Sequence, residues 1–540
     1  MFVYDKIKKM LQFEDNKLPD NSKNLQKSYT VSKAIDDIGY GKFQFILTII
    51  LGFANLSDAM EMMILSLIGP ILTCSSWHVS ITSVASLTTT VFLGMSIAHP
   101  IWGFIADNYG RRRTLIVSCG ILLIFGLAST LSPSFTCLLI FRFFYGTCLS
   151  CLPQSVTLLM EYLPSLSRGR ANLFLALIWA CGASVTALIG RLSMNVEYEN
   201  RWRILVASGA TPVLLFLFCS CWLPESILYL VQNNRKLEAQ EILRYIHKKN
   251  QGPHSLNEGC IHFDDTEIYE KMKANRSNGN IFCNFIQDTK QLLHPGRLKL
   301  TIILWVQWLL LGIISCGVLL LSTSIVQIWN KTCYEGDRNN STIHSKLFKN
   351  ECISLTSGDY FFILWTSMAE LPGGVIALCV MDIIGRKKTL VLMGSIFTSS
   401  LFLILMGCNL SITMLTVLLF IARGASVGYG QCLTIYTPEV YPTHIRAIGV
   451  GTAFIFVRLG CMVTPYLGKV VVLFSWQMSV VTYGILGLLL TVMALFLPIE
   501  SMGLDLSTLD QELINNKSSD KEECLYTTEE QSLLLLSESK

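Results

Sequence analysis

The same short loop sequence occurs once in each half of the chain, and this repeat limits the fold more than any other feature. Asp107-Asn108-Tyr109-Gly110-Arg111-Arg112-Arg113 follows one apolar run, and Asp382-Ile383-Ile384-Gly385-Arg386-Lys387-Lys388 follows another. Three further matches keep the same order: Arg142 with Arg423, Glu161…Pro164…Arg168 with Glu439…Pro442…Arg446, and Pro224-Glu225-Ser226 with Pro498-Ile499-Glu500-Ser501. The order predicts two similar halves in parallel orientation, a plan known in transporters that bind their substrate between the halves.

Long apolar runs predict an all-α membrane protein. Only 15% of the 540 residues are charged, against about 25% in soluble domains, and a spanning helix needs roughly 20 apolar residues. Twelve runs are long enough: Phe43–Ile68, Ile81–Ala106, Thr114–Leu131, Cys137–Met160, Leu173–Leu192, Ile204–Leu223, Leu300–Val326, Tyr360–Val380, Thr389–Cys408, Ile412–Ile435, Ile448–Val470 and Val480–Leu497. We expect twelve transmembrane helices in two six-helix repeats.

Basic residues predict the orientation of these helices. Arg111–Arg113, Arg168 with Arg170, Arg386–Lys388 and Arg446 fall on alternate connections, whereas the intervening loops hold almost no Lys or Arg. The basic side of a membrane protein faces the cytoplasm, so both termini should be cytoplasmic. Residues 1–40 contain no apolar core, and no cleaved signal peptide is expected. The predicted parts are a cytoplasmic segment 1–42, a bundle 43–224, a cytoplasmic linker 225–299, a second bundle 300–500 and a cytoplasmic tail 501–540.

Two connections carry further signals. Within the linker, Arg235–Asn250 has the apolar spacing of a helix that could lie along the membrane surface. The loop 327–359 falls on the lumenal side and contains glycosylation acceptor patterns at Asn330, Asn339 and Asn340. Cys333 and Cys352 lie in the same loop, where an oxidising compartment would allow a disulfide. Pairing of these two cysteines stays open.

Six charged residues lie deep in apolar runs: Asp58, Glu61, Arg142, Glu370, Arg423 and Arg458. A charge at the bilayer centre costs at least about 2.5–3.5 kcal/mol, so such residues usually face the bundle interior and mark ion or substrate routes. Asp58 and Glu61 are three residues apart and share a helix face. Burial and mutual repulsion favour a proton on at least one of them; when ionised, they would instead balance a cationic solute.

The other embedded charges and two tryptophans complete the predicted solute site. Glu370 and Arg458 are candidates for the opposing wall, whereas Arg142 and Arg423 could equally form structural ion pairs, for example Arg142 with an acid on the first helix. Trp179 and Trp365 lie well inside their runs, and aromatic faces can hold a cation or stack on a flat ring. The alternative role for these tryptophans is anchoring at the membrane interface.

The repeated loops predict a gate on the cytoplasmic side. Their charges can form an ion-pair network between helix ends, and removing one partner of a desolvated pair costs several kcal/mol. The simpler alternative is that these charges only set orientation, but orientation does not require the acids. The predicted gate residues are Asp107, Gly110, Arg111, Arg112, Glu161 and Arg168 in the first half, and Asp382, Gly385, Arg386, Glu439 and Arg446 in the second.

Several of these strings resemble a known family. Gly103-x-x-x-Asp107-x-x-Gly110-Arg111-Arg112 resembles the signature loop of the major facilitator superfamily, and the Glu-x6-Arg and Pro-Glu-Ser patterns resemble its sugar-porter and organic-ion branch. Two longer strings, Asp58-Ala59-Met60-Glu61-Met62-Met63-Ile64-Leu65-Ser66 and Tyr436-Thr437-Pro438-Glu439-Val440-Tyr441-Pro442-Thr443, are similar to the synaptic vesicle two-related proteins, which are orphan transporters. The resemblance covers about residues 29–503.

The resemblance implies a secondary transporter that works by alternating access. The chain has Trp305-Val306-Gln307-Trp308 in place of the paired-Gln motif of sugar porters, so a hexose is not the expected solute. The resemblance to the organic-ion branch implies instead a small organic ion, either an acid or an amine. Protons are the expected coupling ion and the lipid bilayer the expected surroundings. The alternative is a non-transporting vesicle membrane protein that regulates or binds a partner. No nucleophile–base motif, metal-ligand spacing or phosphate-binding loop predicts an enzyme, cofactor or metal, and nothing predicts nucleic-acid binding.

The C-terminal tail contains a sorting pattern. Glu529-Glu530-Gln531-Ser532-Leu533-Leu534 matches the acidic dileucine signal, with Glu529, Leu533 and Leu534 as its elements. We expect sorting adaptors to bind it and to place the protein in endosomal or secretory-type vesicles, the plasma membrane, or both. An unstructured tail without a sorting role is the alternative.

Overall fold

The computed structural model describes residues 28–29, 31–77, 79–250, 262–263, 290, 292–294, 297–329, 355–441 and 445–501. Twelve helices in this part are long and apolar enough to span a membrane. We number them α1 Lys42–Thr73, α2 Ile81–Tyr109, α3 Arg111–Thr130, α4 Phe135–Glu161, α5 Arg168–Asn195, α6 Glu199–Trp222, α7 Leu298–Ile325, α8 Ser357–Ile384, α9 Arg386–Ile404, α10 Ile412–Val440, α11 Ile448–Val470 and α12 Trp476–Leu495. The predicted twelve-helix fold is confirmed.

Helix packing repeats between the halves. In the first half α1 packs on α5, α2 packs on α4, and α3 contacts both α4 and α6. In the second half α7 packs on α11, α8 packs on α10, and α9 contacts both α10 and α12. The six-helix unit therefore occurs twice, as the repeated motifs predict. The two units meet through α2 against α11 and through α5 against α8.

The two ends of the bundle differ in chemistry. We call the end that carries Arg111–Arg113 and Arg386–Lys388 the basic end, and the other the opposite end. Five of the six spans that start at the opposite end use hydroxyl caps: the side chains of Ser80, Ser134, Thr356, Ser411 and Ser475 accept hydrogen bonds from backbone N–H groups three residues on. Such caps satisfy donors that the first helical turn leaves unpaired. Each of these spans therefore begins with its own polar end.

A small layer of helices covers part of the basic end. The predicted linker helix forms as Lys236–Asn250, and its buried residues are Ala239, Leu243 and Ile246. Its last residue, Asn250, accepts a hydrogen bond of 3.0 Å from the backbone N–H of Phe43 at the start of α1. A second helix, Val31–Ile38, packs on the linker helix. The linker helix is thus bound to the first half of the protein. Beside these helices, Ser28–Tyr29 pairs in parallel with His262–Phe263 as a two-residue sheet.

Several predicted residues lie outside the described part of the chain. These are the glycosylation candidates Asn330, Asn339 and Asn340, the cysteines Cys333 and Cys352, and the sorting residues Glu529, Leu533 and Leu534. Among the described cysteines, Cys74 directly follows α1 at the opposite end and is disulfide-bonded. The cysteines inside the spans are free thiols, as expected for small apolar packers.

Candidate functional site

All six embedded charges predicted from the sequence form ion pairs between helices. Glu61 on α1 lies 2.5 Å from Arg142 on α4. Glu370 on α8 lies 2.6 Å from Arg423 on α10. The third pair is different, because it joins Asp58 on α1 to Arg458 on α11, in the other half, over 3.7 Å.

The pair between Glu61 and Arg142 is closed off from solvent. Each side chain is 1% exposed, and the Arg142 guanidinium also lies 5.1 Å from the centre of the Tyr145 ring. Removing one partner of such a buried pair costs about 3–5 kcal/mol, because the other charge is left uncompensated. The contact joins α1 to α4 and is the ion pair with an acid on the first helix that the sequence leaves open for Arg142; the proton-coupling role of Glu61 stays a prediction.

Glu370 and Arg423 play the same part in the second half. The side chains are 9% and 3% exposed, and the Glu370 Oε1 atom accepts hydrogen bonds from two nitrogens of Arg423, at 2.9 and 2.6 Å. The pair fixes α8 against α10. Glu370 thus faces its own half, rather than standing as a free acid in the wall opposite Asp58.

The pair between Asp58 and Arg458 is the loosest of the three. Its 3.7 Å separation exceeds the usual length of a hydrogen bond. The second carboxylate oxygen of Asp58, Oδ1, is buried and has no hydrogen-bond partner in the described part of the chain. Arg458 keeps 13% of its side chain exposed, more than any other member of the three pairs. Both groups can therefore take up further partners at the boundary between the halves.

Aromatic side chains lie one helical turn from Arg458. Phe454 precedes Arg458 by four residues and shares its face of α11. Its ring centre lies 5.8 Å from that of His99 on α2 and 5.3 Å from that of Trp308 on α7. His99 itself is held by the Ser150 carbonyl oxygen, 3.2 Å from Nδ1. The sequence predicts His99, before Pro100, only as a packing histidine, and Phe454 carries no signal of its own within an apolar run.

The two tryptophans predicted to line a cavity differ in exposure. Trp179 is half-buried and packs on the apolar core of the first half, and Trp365 is 52% exposed. In the described part of the chain, neither forms a hydrogen bond or ring contact with the three ion pairs. Trp305, by contrast, stacks on Phe456 at 4.8 Å and 20° and donates a hydrogen bond of 3.1 Å to Thr452.

At the basic end, the repeated motif builds one carboxylate-centred cluster in each half. In the first half, Glu161 lies 2.5 Å from Arg111 and accepts a hydrogen bond of 2.5 Å from the Ser226 hydroxyl. Glu225 accepts a hydrogen bond of 2.9 Å from the backbone N–H of Arg112. A carboxylate at a helix N-terminus stabilises the unpaired N–H groups and the helix dipole. The Pro-Glu-Ser motif therefore caps α3.

The second half repeats this cluster. Glu439 lies 3.2 Å from Arg386 and accepts a hydrogen bond of 2.6 Å from Ser501. Glu500 accepts hydrogen bonds of 2.8 and 3.1 Å from the backbone N–H groups of Arg386 and Lys387 at the start of α9. The clusters thus link α3, α4 and the end of α6, and likewise α9, α10 and the end of α12.

Two glycines in these clusters cannot be replaced without strain. Gly110 has φ +99° and Gly385 has φ +95°, values that L residues rarely adopt. A Cβ atom at Gly110 would lie 2.7 Å from the Glu225 carboxylate, and one at Gly385 would lie 2.9 Å from the Glu500 carboxylate. The glycine in each signature loop therefore makes room for the capping acid.

The remaining predicted gate residues also bond within their own half. Arg168 donates to the Leu163 carbonyl oxygen at 3.3 Å, Arg446 donates to the Tyr441 carbonyl oxygen at 3.4 Å, and Asp382 lies 3.7 Å from Arg386. Partial burial lowers the pKa of Arg446, and the positive charge of Arg168, in the other half, lowers it further. Asp107 is close enough for its charge to act on Glu161.

Other contacts join the halves directly. Asn172 on α5 donates a hydrogen bond of 3.1 Å to Gln431 on α10. Thr89 on α2 donates one of 3.2 Å to the Met462 carbonyl oxygen on α11. At the opposite end, Lys469 on α11 donates one of 3.0 Å to the Leu65 carbonyl oxygen on α1. Lys469 was not among the predicted site residues, although a lysine near the end of an apolar run is a visible signal in the sequence.

Known proteins are similar to this chain in sequence. Residues 70–513 match the family described as sugar (and other) transporter. The synaptic vesicle 2-related protein of Bos taurus is 35% identical over 478 residues, covering 88% of this chain and 82% of that protein. The organic cation/carnitine transporter 7 of Arabidopsis thaliana is 30% identical over 502 residues, covering 89% and 96%.

Solved structures agree with the fold. The proton:xylose symporter XylE superposes with a TM-score of 0.62 at 18% identity, covering 88% of this chain and all of that one. A partially occluded inward-open form of XylE from E. coli gives a TM-score of 0.61 at 15% identity, covering 86% and 99%. At this identity the likeness concerns the fold alone. The sequence relatives carry the assignment: the chain belongs to the sugar (and other) transporter family of the major facilitator superfamily and is a multi-pass membrane transporter.

Proposed function

We propose that this protein is a proton-coupled secondary transporter of a small organic ion. The observation that carries the proposal is the Asp58–Arg458 pair, the loosest of the three embedded pairs and the one that joins the two halves. In alternating access the halves rock against each other around a site near the midplane. A contact across that boundary changes during the cycle, whereas pairs within one half move as a unit.

Asp58 is the proposed proton carrier. Glu61 has a close partner at 2.5 Å, whereas Asp58 has a distant one and an unpaired oxygen. A carboxylate separated from its arginine in a poorly hydrated interior takes up a proton rather than remain an unpaired charge. Protonation of Asp58 would thus accompany separation of the halves, and so couple solute movement to a pH gradient.

The experiment that tests this function is uptake by proteoliposomes, with charged metabolites screened in the presence and absence of a pH gradient. A solute that accumulates only with the gradient, in wild type but not in Asp58→Asn, supports the proposal. Accumulation of solute by Asp58→Asn equal to that by wild type would contradict proton coupling through Asp58. Failure of every solute to cross would favour the non-transporting alternative.

We further propose that the basic end faces the cytoplasm, since basic connections favour that side. The linker would then be cytosolic, and Asn330 or the pair Asn339 and Asn340 would be open to glycosylation. An epitope inserted at Gly279 should be detected only after cells are permeabilised. Detection on intact cells would reverse the orientation.

A further inference from the structure

We infer that Arg458 binds an anionic group of the transported solute, and that the solute enters as an organic carboxylate accompanied by a proton on Asp58. This inference deepens the proposed function and rests on it. The sequence leaves open whether the solute is an acid or an amine, and this inference favours the acid. The choice comes from the charges at the boundary between the halves.

Charge balance excludes a simple cation. A cationic solute bound to Asp58 would displace Arg458 and leave its guanidinium unpaired in a poorly hydrated site, where an uncompensated charge is strongly unfavourable. An anionic solute that enters with a proton leaves no charge unpaired. The proton neutralises Asp58, and the carboxylate replaces Asp58 as the partner of Arg458. Every charge at the site is then balanced both before and after binding.

The three arginines embedded deep in the described spans differ in their freedom to bind such an anion. Arg142 and Arg423 are 1% and 3% exposed and lie 2.5 and 2.6 Å from their acids. Arg458 is 13% exposed, and its acid is 3.7 Å away. A guanidinium offers several donors in a planar fork suited to a carboxylate. Arg458 is therefore the most exposed and least tightly paired of the three embedded arginines, and the one we assign to a ligand.

Aromatic side chains near Arg458 favour a solute in which the carboxylate is attached to a flat ring. Phe454 lies one turn from Arg458 on the same helix. The ring of His99, from the other half, lies 5.8 Å from the ring of Phe454 between centres. The rings come from α2, α7 and α11 and so meet at the boundary between the halves. Aromatic acids with one carboxylate are accordingly suitable probes.

Other titratable groups surround the pair and must be separated from it by controls. These are Glu61, Arg142 and Tyr145 on the first-half side, His99 facing Arg458 from α2, and Cys316 and Cys461 from α7 and α11. Of these, His99 has the ordinary pKa closest to neutrality, so His99→Gln is the control for any pH effect.

The test measures binding to the purified full-length protein in nanodiscs, without a gradient, so it does not depend on transport. The probes are benzoate and 2-naphthoate, each compared with the amide and the amine built on the same ring. We expect the carboxylates to bind, and the amides and amines to bind at least about tenfold more weakly. Arg458→Gln should lose at least about tenfold in carboxylate affinity, whereas Arg458→Lys should keep part of it.

The pH dependence supplies a second readout that a merely structural arginine would not produce. Asp58 competes with the solute for Arg458, so wild-type carboxylate affinity should rise as pH falls from about 8 to 5.5, a range in which the probe stays ionised. Asp58→Asn should bind the carboxylates well at every pH in this range. His99→Gln removes one of the rings and should lower carboxylate affinity at every pH, but the ratio of its affinities at about pH 5.5 and about pH 8 should equal that of wild type.

The outcomes separate this inference from the proposed function. Binding of the carboxylates through Arg458 without pH-driven uptake would support the anion site and contradict proton-coupled transport. Gradient-driven uptake of amines or amides would support transport and overturn the anion site. Absence of carboxylate binding, or equal carboxylate affinity in wild type and Arg458→Gln, would also overturn it.

Discussion

Lys469 joins the two halves by donating a hydrogen bond of 3.0 Å to the backbone carbonyl oxygen of Leu65. The lysine is 7% exposed and has no acidic partner in the described part of the chain. It lies in Tyr466–Val470, a five-residue π-helical segment of α11. Such segments occur often at functional sites. We interpret this contact as a latch that holds the opposite end closed.

Replacing Lys469 with Met should open the opposite end more often without unfolding the protein. A hydrogen bond from a charged donor contributes about 1.5–3 kcal/mol, and exchanging a buried charge for an apolar side chain often leaves stability unchanged or higher. The measurement is labelling of Ser66→Cys, a buried position bonded to Thr323 across the halves. Faster labelling is expected with Lys469→Met. Asn172→Cys, toward the basic end, is the control, and equal acceleration there would argue for general loosening.

Glu225 should stabilise α3 through its cap on the backbone of Arg112. Glu225→Ala should lower stability by about 1 kcal/mol, the usual effect of losing a helix cap. Gly110→Ala should cost about 1–3 kcal/mol, since it adds backbone strain to the loss of space for the carboxylate. Apparent melting temperatures in detergent would measure both. Glu241→Gln, on the linker helix, is the control, and a shift in the control equal to that of Glu225→Ala would refute the cap.

Asp107→Asn should slow transport while leaving folding and solute binding nearly unchanged. Asp107 lies at the basic end, where its charge acts on Glu161, and far along α2 from the opposite end. Asp382→Asn removes the matching acid in the second half, which lies 3.7 Å from Arg386. Transport rate, binding affinity and labelling of a cysteine at the basic end should be compared in both variants. Unchanged labelling of that cysteine would count against a gate in the signature loops.

The repeated loops predicted the clusters at the basic end because each motif is local in sequence and occurs twice. Glu161 and Glu439, for example, occupy matching positions and bond to matching arginines and serines. Partners deep in the membrane were harder to predict. The spans are apolar on most sides, so periodicity does not fix which face of α1 turns toward α11. The pairing of Asp58 with Arg458 depends on how the two halves meet.

Lys469 and Phe454 also could not be recognised as site residues from the sequence. Their importance comes from partners on other helices: the Leu65 carbonyl oxygen, and the rings of His99 and Trp308. A backbone carbonyl carries no sequence signal, and a phenylalanine in an apolar run is ordinary. Trp179 and Trp365 were chosen for depth in their runs alone, and depth does not determine which side of a helix faces the interior.

The tail prediction can be tested in cells. Leu533→Ala combined with Leu534→Ala should move the protein from vesicles to the cell surface, because sorting adaptors read the acidic dileucine pattern. Surface biotinylation and imaging of the tagged full-length chain would measure the change. Leu535→Ala, next to the pattern, is the matched control. The same distribution in the double variant and in wild type would remove the proposed sorting role.

Neutralising Asp58 and neutralising Glu61 should affect different properties of the protein, although the two residues are one helical turn apart. The first should affect transport and the second stability. Glu61→Gln leaves the Arg142 charge buried without its counter-ion, and we expect a loss of about 3–5 kcal/mol in stability. Asp58→Asn removes a longer and less satisfied contact, so the melting temperature should change little.

Uptake driven by a pH gradient should nevertheless be lost in Asp58→Asn, while solute exchange at equal pH on both sides survives. Glu61→Gln with Arg142→Met, which removes both charges, should recover stability relative to Glu61→Gln alone. If Asp58→Asn destabilises the protein as much as Glu61→Gln does, Asp58 also has a structural role and its assignment as the proton carrier loses its basis.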